Sequence, residues 1–192
     1  MRLSRPSLKV RLLAMLVVVP VVAWFVVRPV RVIAPELSGV SCLSASVCVD
    51  DKARFEEAAR LHAEGMAFVA ARVGAIQGMP KMVFCATQAC ANAFGLGMRS
   101  AVTLSTFGTV VGPRAWKPFY VRHELIHYLQ AERLGTIRLL FKPQWFVEGM
   151  AYALSEDPRA PLGEPFESHR RNFMLWHPTI GPRTLWQAAG DL

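Results

Sequence analysis

His123 and His127 lie four residues apart, and Glu124 directly follows the first of them, in the segment YVRHELIHYL. If this segment is helical, both imidazoles lie on one face and can bind the same zinc ion. Glu124 projects at a different angle, from which its carboxylate can take a proton from a water molecule that zinc has acidified. The spacing therefore predicts two metal ligands, His123 and His127, and a general base, Glu124.

A catalytic zinc site usually has three protein ligands and an open fourth position. Glu148 lies near the middle of the next predicted helix, in the segment PQWFVEGMAYAL. Gly135 separates the two helices and allows the second to fold back against the first. Glu148 is therefore the candidate for the third zinc ligand.

These two segments together resemble the gluzincin metallopeptidases, whose zinc is held by a His-Glu-x-x-His pair and a glutamate on a later helix. The stretch WFVEGMA, residues 145 to 151, is similar to the tryptophan-x-x-glutamate-glycine-x-alanine form of small members of that group. The resemblance is good over residues from about 100 to 155 and covers the rest in outline. It implies zinc-dependent cleavage of a peptide that lies extended along an edge strand before the catalytic helix.

Tyr152 is a departure from the pattern, because better-known gluzincins carry an aspartate at this place, four residues after the ligand glutamate. That aspartate orients a zinc histidine, and a phenol would accept a hydrogen bond from imidazole more weakly than a carboxylate does. Tyr152 can instead donate to the oxyanion, as tyrosines or histidines do in related enzymes, and His169 and His177 are further candidates. The alternatives are a core tyrosine and two surface histidines.

The elements that position these residues follow from hydrophobic periodicity and from glycine and proline. The sequence predicts helices over residues 52–73, 87–94, 118–134, 144–155 and 165–176, and strands over 81–85, 101–105 and 107–111. His62 falls in the apolar stripe of the first helix and is expected to be a core residue. The predicted fold is α+β, a minimal gluzincin-like catalytic domain. Its small mixed sheet has an edge strand, 101–105, packed against the zinc-binding helix pair.

Residues 12–27 form an apolar run without charges. Counted through Ile33, with Arg28 and Arg31 reaching the interface, the run attains the roughly 20 residues that a transmembrane helix needs. Residues 1–34 are therefore predicted to be a cytoplasmic N-terminus and membrane anchor, and the alternative is a cleaved signal peptide with secretion. A linker over 35–50 and a metallopeptidase-like domain over 51–192, outside the cytoplasm in the periplasm, would follow. The basic residues before the run favour this orientation.

Charge gives no reason to expect a nucleic-acid partner. Six of the 22 Lys and Arg residues fall within residues 1–31, so the remaining chain carries 16 basic and 14 acidic residues. The even number of cysteines, four, indicates disulfides in an oxidising compartment. Cys42 is expected to pair with Cys48 and Cys85 with Cys90, although four cysteines allow three connectivities.

The function predicted from these residues is zinc-dependent hydrolysis of peptide bonds, with Glu124 as the general base. Its partners would be a peptide or protein substrate and a membrane, the latter through the N-terminal helix. Two alternatives remain open: a non-enzymatic binding module that zinc stabilises, and a zinc hydrolase of a non-peptide amide or ester. The sequence does not indicate the oligomeric state.

Overall fold

A small mixed β-sheet with helices packed against it forms the fold, in agreement with the α+β class predicted. The computed structural model describes residues 7–26 and 28–192. Its five-stranded sheet has the order β1-β2-β3-β5-β4 within these residues. The strands are β1 (Ser41–Cys42), β2 (Val47–Val49), β3 (Met82–Phe84), β4 (Ala101–Leu104) and β5 (Gly108–Val111).

The connections explain which strands run parallel. Helix α2 (Phe55–Arg72) carries the chain across the sheet between β2 and β3, so these two strands are parallel. A short turn joins β4 to β5, and these strands are antiparallel. Because β5 also pairs with β3 in parallel, β4 is left at one edge of the sheet, where the sequence predicts an edge strand.

The helices after the sheet carry most of the candidate site. They are α4 (Pro118–Leu134), α5 (Thr136–Leu139), α6 (Gln144–Leu154), α7 (Phe166–Trp176) and α8 (Leu185–Gly190). Helix α3 (Gln88–Ala93) lies earlier, between β3 and β4. Helix α4 packs against α2, β4 and α6, and α6 packs against α7. Val121, Leu125 and Leu129 of α4 are fully buried in the main core, together with Phe84 of β3 and Val111 of β5.

Two neighbouring aspartates before α2 have different partners. The Asp51 side chain accepts a hydrogen bond from the backbone N–H of Ala53 and caps a short 3-10 turn that leads into α2. Asp50 instead accepts hydrogen bonds from the backbone N–H groups of Ala86 and Thr87 after β3. Asp51 therefore caps the 3-10 turn before α2, while Asp50 connects β2 to the loop after β3.

Residues 35–50, where the sequence analysis expects a linker, contain β1 and β2. Val47 and Val49 are buried, and β2 pairs with β3 inside the sheet. A strand of three residues is too short to show an alternating pattern, so no strand was predicted there. Helix α3, of six residues, was predicted over 87–94, whereas α5 and α8, of four and six residues, were not predicted.

The predicted N-terminal transmembrane helix is wrong, and so is the localisation by a single-helix anchor. Helix α1 covers Leu8–Val26, and no helix within residues 7–26 and 28–192 is long and apolar enough to cross a membrane. The residues counted towards the span after Arg28 form a 3-10 helix in which Val32 is fully buried against the sheet. Arg31 donates to the carbonyl oxygen of Ala93 in α3 instead of reaching an interface. Arg2 and Arg5, which oriented the predicted anchor, lie outside the described residues.

Both disulfides predicted from local spacing are confirmed. Cys42 is bonded to Cys48, which joins β1 to β2, and Cys85 is bonded to Cys90, which joins the end of β3 to α3. No free cysteine is present in the described part of the chain. The sulfur atoms are therefore not available as metal ligands.

Candidate metal centre

The two histidines lie on one face of α4, as their spacing predicts. Pro118 occupies the first turn of this helix, where its missing N–H costs nothing, and Gly135 ends the helix with a positive φ of 82°. His123 and His127 are neighbours on the face that meets α6, and their Nε2 atoms are 3.0 Å apart. Both imidazoles are largely buried, so the helix holds two nitrogen donors at one point inside the fold.

Glu148 on α6 completes a group of three. Its Oε2 atom is 3.6 Å from Nε2 of His123, and its Oε1 atom is 3.7 Å from Nε2 of His127. The three side chains each offer one ligand atom, and these atoms all lie within 4.8 Å of one another. The described residues therefore bring the three predicted ligands together in a group that can hold a metal ion.

The glycine that follows the third ligand, Gly149, permits a close contact between two helices. A Cβ atom at this position would lie 2.2 Å from the backbone carbonyl oxygen of His169 on α7, a distance that real atoms do not adopt. The absence of a side chain thus allows α6 and α7 to approach backbone to backbone. That contact determines how far α6, the helix that carries Glu148, lies from α7.

The donor set fits zinc. Two imidazole nitrogens and one carboxylate oxygen are the ligand types of catalytic zinc sites, which bind zinc at about 2.0–2.2 Å in tetrahedral arrangement. Such bonds separate neighbouring ligand atoms by roughly 3.3–3.6 Å. In the group, the Nε2 atoms of the two histidines are 3.0 Å apart, and their shortest distances to Glu148, 3.6 and 3.7 Å, go to its two different oxygen atoms. One ligand atom from each of the three side chains lies within 4.8 Å of the other two, which is near the separation that one ion requires.

Glu148 and the two histidines shift one another's pKa values. Burial opposes protonation of His127, but the hydrogen bond and charge of Glu148, with further contributions from Glu124 and Gln130, raise its pKa to about 9. Burial alone would raise the pKa of Glu148, yet the hydrogen bonds and charges of His123 and His127 hold that pKa well below its usual range. At neutral pH the metal-free site thus keeps the Glu148 carboxylate ionised and His127 protonated, so a cation that binds there must displace the proton of His127.

Glu124, the predicted general base, is held by the edge strand. It is 6% exposed, and its Oε2 atom accepts a hydrogen bond of 2.7 Å from Oγ1 of Thr103 on β4. Oγ1 of Thr103 is in turn 2.8 Å from Oγ1 of the fully buried Thr109 on β5. Sequence analysis missed both threonines, although their alternation with Val102 and Val110 placed them on one face of the predicted hairpin.

Gln130 is a third residue that was not identified from the sequence. It is fully buried on α4, and its amide lies 2.9 Å from Nδ1 of His127 and 3.0 Å from the carbonyl oxygen of Val147. Its place three residues after His127 is the one available signal, because residues three apart are neighbours on a helix. The pattern of the motif alone does not distinguish this glutamine from any other buried polar residue.

Tyr152 packs against His123, with the two ring centroids 4.4 Å apart in an edge-to-face arrangement. Within the described residues no hydrogen bond joins the phenol to the imidazole, so the contact is one of ring packing. Burial and the negative charge of Glu148 raise the pKa of Tyr152 to about 12. The phenol therefore keeps its proton at neutral pH and can act as a donor.

The remaining histidines lie outside the group of three. His169 is on α7, with its ring packed against Phe166, and it does not belong to the metal-binding group of the described residues. His177 stacks on Phe173 of α7. His62 is half-buried on α2 and donates from Nε2 to the carbonyl oxygen of Pro80. A role for His169 or His177 at the oxyanion stays a prediction.

No protein-family model, curated protein or solved structure matches the chain.

Proposed function

We propose that this chain is a zinc-dependent hydrolase that cleaves peptide bonds. The observation that carries the proposal is the group formed by His123, His127 and Glu148, with a separate carboxylate, Glu124, beside it. Different side chains would therefore perform the two tasks: three would hold the metal, and the carboxylate of Glu124 would move the proton. The two disulfides of the described chain support an oxidising compartment as the place of action.

The proposed roles follow from the positions of the side chains. His123, His127 and Glu148 would hold the ion, which when bound supplies a Lewis acid that polarises a carbonyl group and acidifies a water molecule. Glu124 accepts the proton of the attacking water at Oε1, because Oε2 is occupied by Thr103. The same carboxyl group then delivers that proton to the leaving amine. Tyr152, protonated beside His123, is positioned as a candidate donor to the oxyanion.

Strand β4 supports a peptide as the substrate. It is the edge strand next to α4, and Thr103 in its middle touches the general base. An extended peptide that paired with this edge would run past Glu124 with its backbone carbonyls in register. The proposed cleft therefore lies between β4 and the ligand-bearing helices.

A purely structural zinc site is the competing function. Structural zinc is usually enclosed by four protein ligands, most often cysteines. Within residues 7–26 and 28–192, three side chains form the group and all four cysteines are in disulfides. This donor set supports an open coordination position and thus favours the hydrolase.

Replacement of Glu124 by glutamine distinguishes the hydrolase from a structural zinc site. The amide keeps the shape of the side chain but accepts no proton, so turnover should fall about 10²- to 10⁴-fold while zinc content and melting temperature stay close to wild type. Mixed-peptide digestion, metal analysis and thermal melting on the same preparations measure the three quantities. Glu148→Ala is the paired variant, which should lose most of the zinc as well as the activity.

Full activity in Glu124→Gln would contradict the proposed mechanism even if zinc is present. Full zinc content in Glu148→Ala would remove Glu148 from the ligand set. Zinc-loaded wild-type protein that cleaves no peptide in a mixed library would favour the structural site.

A further inference from the structure

Gln130 contacts both ligand-bearing helices at once. It belongs to α4, where one end of its amide is 2.9 Å from Nδ1 of His127, and the other end is 3.0 Å from the carbonyl oxygen of Val147 on α6. Val147 directly precedes Glu148 in the chain. The side chain is fully buried, so both contacts are made away from bulk water. One amide therefore connects two of the three candidate ligands.

The two hydrogen-bond partners of Gln130 determine which end of its amide is the oxygen and which is the NH2 group. A carbonyl oxygen only accepts hydrogen bonds, so the end of Gln130 that faces Val147 must be the NH2 group. The other end is then the oxygen, which also only accepts, and Nδ1 of His127 must carry a proton to donate to it. In a neutral imidazole, a proton on Nδ1 leaves the free electron pair on Nε2. Nε2 is the atom of His127 that faces His123 and Glu148.

We propose that Gln130 is a positioning residue for the metal. It holds His127 in the tautomer whose Nε2 can bind an ion, and through Val147 it fixes the part of α6 that carries Glu148. The inference rests on the metal binding of the proposed function, not on peptide hydrolysis. Partners that orient a metal-binding histidine typically contribute about 10- to 100-fold to metal affinity.

Three variants of the full chain distinguish this role from ordinary core packing. Gln130→Met keeps the length of the side chain and removes both hydrogen bonds, so the dissociation constant for zinc should rise about 10- to 100-fold in a chelator competition. Gln130→Glu restores an acceptor for His127 but no donor for Val147, so it should bind zinc more tightly than Gln130→Met. Leu129→Ala is the control, since Leu129 is equally buried on α4 and its side chain lies against the position of Gly74. It should lower the melting temperature while the dissociation constant changes less than about twofold.

Zinc affinity in Gln130→Met within twofold of wild type would overturn the proposal, and so would weaker binding in Gln130→Glu than in Gln130→Met. Affinities that follow the melting temperatures of all three variants would likewise reduce Gln130 to a packing residue.

A metal-free measurement tests the hydrogen bond itself. Nuclear magnetic resonance of the metal-free wild type should reveal a slowly exchanging imidazole N–H proton, which His127→Gln assigns by its loss and which Gln130→Met also removes. Absence of this proton in the wild type would overturn the inference. If the proton is present and zinc binds but no peptide is cleaved, the hydrolase function fails while the role of Gln130 stands. If no zinc binds, both fail.

Discussion

At the scale of single residues, the motif is supported by side chains that it does not contain. His123, Glu124 and His127 were identifiable from their spacing alone, since helical geometry places them. Thr103 and Gln130 were not, because each acts across the fold on a residue distant in sequence or on another helix. A pattern within one segment carries no information about which strand or helix it will meet.

Replacement of Thr103 tests how the general base is oriented. Thr103→Val keeps the shape of the side chain but removes the hydrogen bond to Oε2 of Glu124, which leaves the carboxylate free to rotate. We expect kcat to fall roughly tenfold, the loss of about one hydrogen bond to a charged group, with little change in KM or zinc content. Thr103→Ser retains the hydroxyl and should recover most of kcat. Equal losses in the valine and serine variants would assign the effect to strand packing instead.

At the scale of elements, the sequence predicted α2 from its apolar stripe, and it predicted α4 and α6 from the prolines and the glycine at their ends. It also predicted the hairpin of β4 and β5, whose alternating residues and turn are local. The short strands β1 and β2 were missed because their pairing depends on β3, across α2 in the sequence. The closeness of α6 to α7 was missed as well, since a glycine in a helix gives no sign of what it allows to approach.

Gly149→Ala tests that approach. The new methyl group would meet the backbone carbonyl of His169, which no side-chain rotation can relieve, so α6 and α7 must separate. Overpacking of this kind typically costs about 1–3 kcal/mol, and the displacement of Glu148 should also weaken zinc binding. Gly163→Ala is the matched control, because nothing lies within 4 Å of a Cβ atom there. Thermal melting and chelator competition should separate the two variants, and identical behaviour would contradict a close contact between the helices.

At the scale of the whole molecule, the proton on His127 affects folding and metal binding in opposite ways: it stabilises the folded chain, and it must leave before a metal ion can bind. The pKa of this histidine is about 9 in the folded chain, where burial opposes the charged form but Glu148 outweighs it, against about 6.5 in an unfolded chain. A raised folded pKa contributes stability that is fully present below about 6.5 and is lost as pH rises through about 9. A metal ion needs the neutral imidazole, so its binding must displace that proton at neutral pH.

Zinc affinity and the stability of the metal-free protein should therefore change in opposite directions between about pH 6.5 and 9. Zinc affinity should rise with pH, by up to about tenfold per unit for this one proton, and level off above about 9. Over the same range the metal-free protein should lose the part of its stability that comes from protonated His127. Chelator competition and thermal melting at matched pH values measure both, and His127→Gln isolates the contribution of this residue by difference. A wild-type protein that gains metal-free stability over this range relative to His127→Gln would contradict the prediction, because the Glu148 carboxylate would then not be holding a proton on His127.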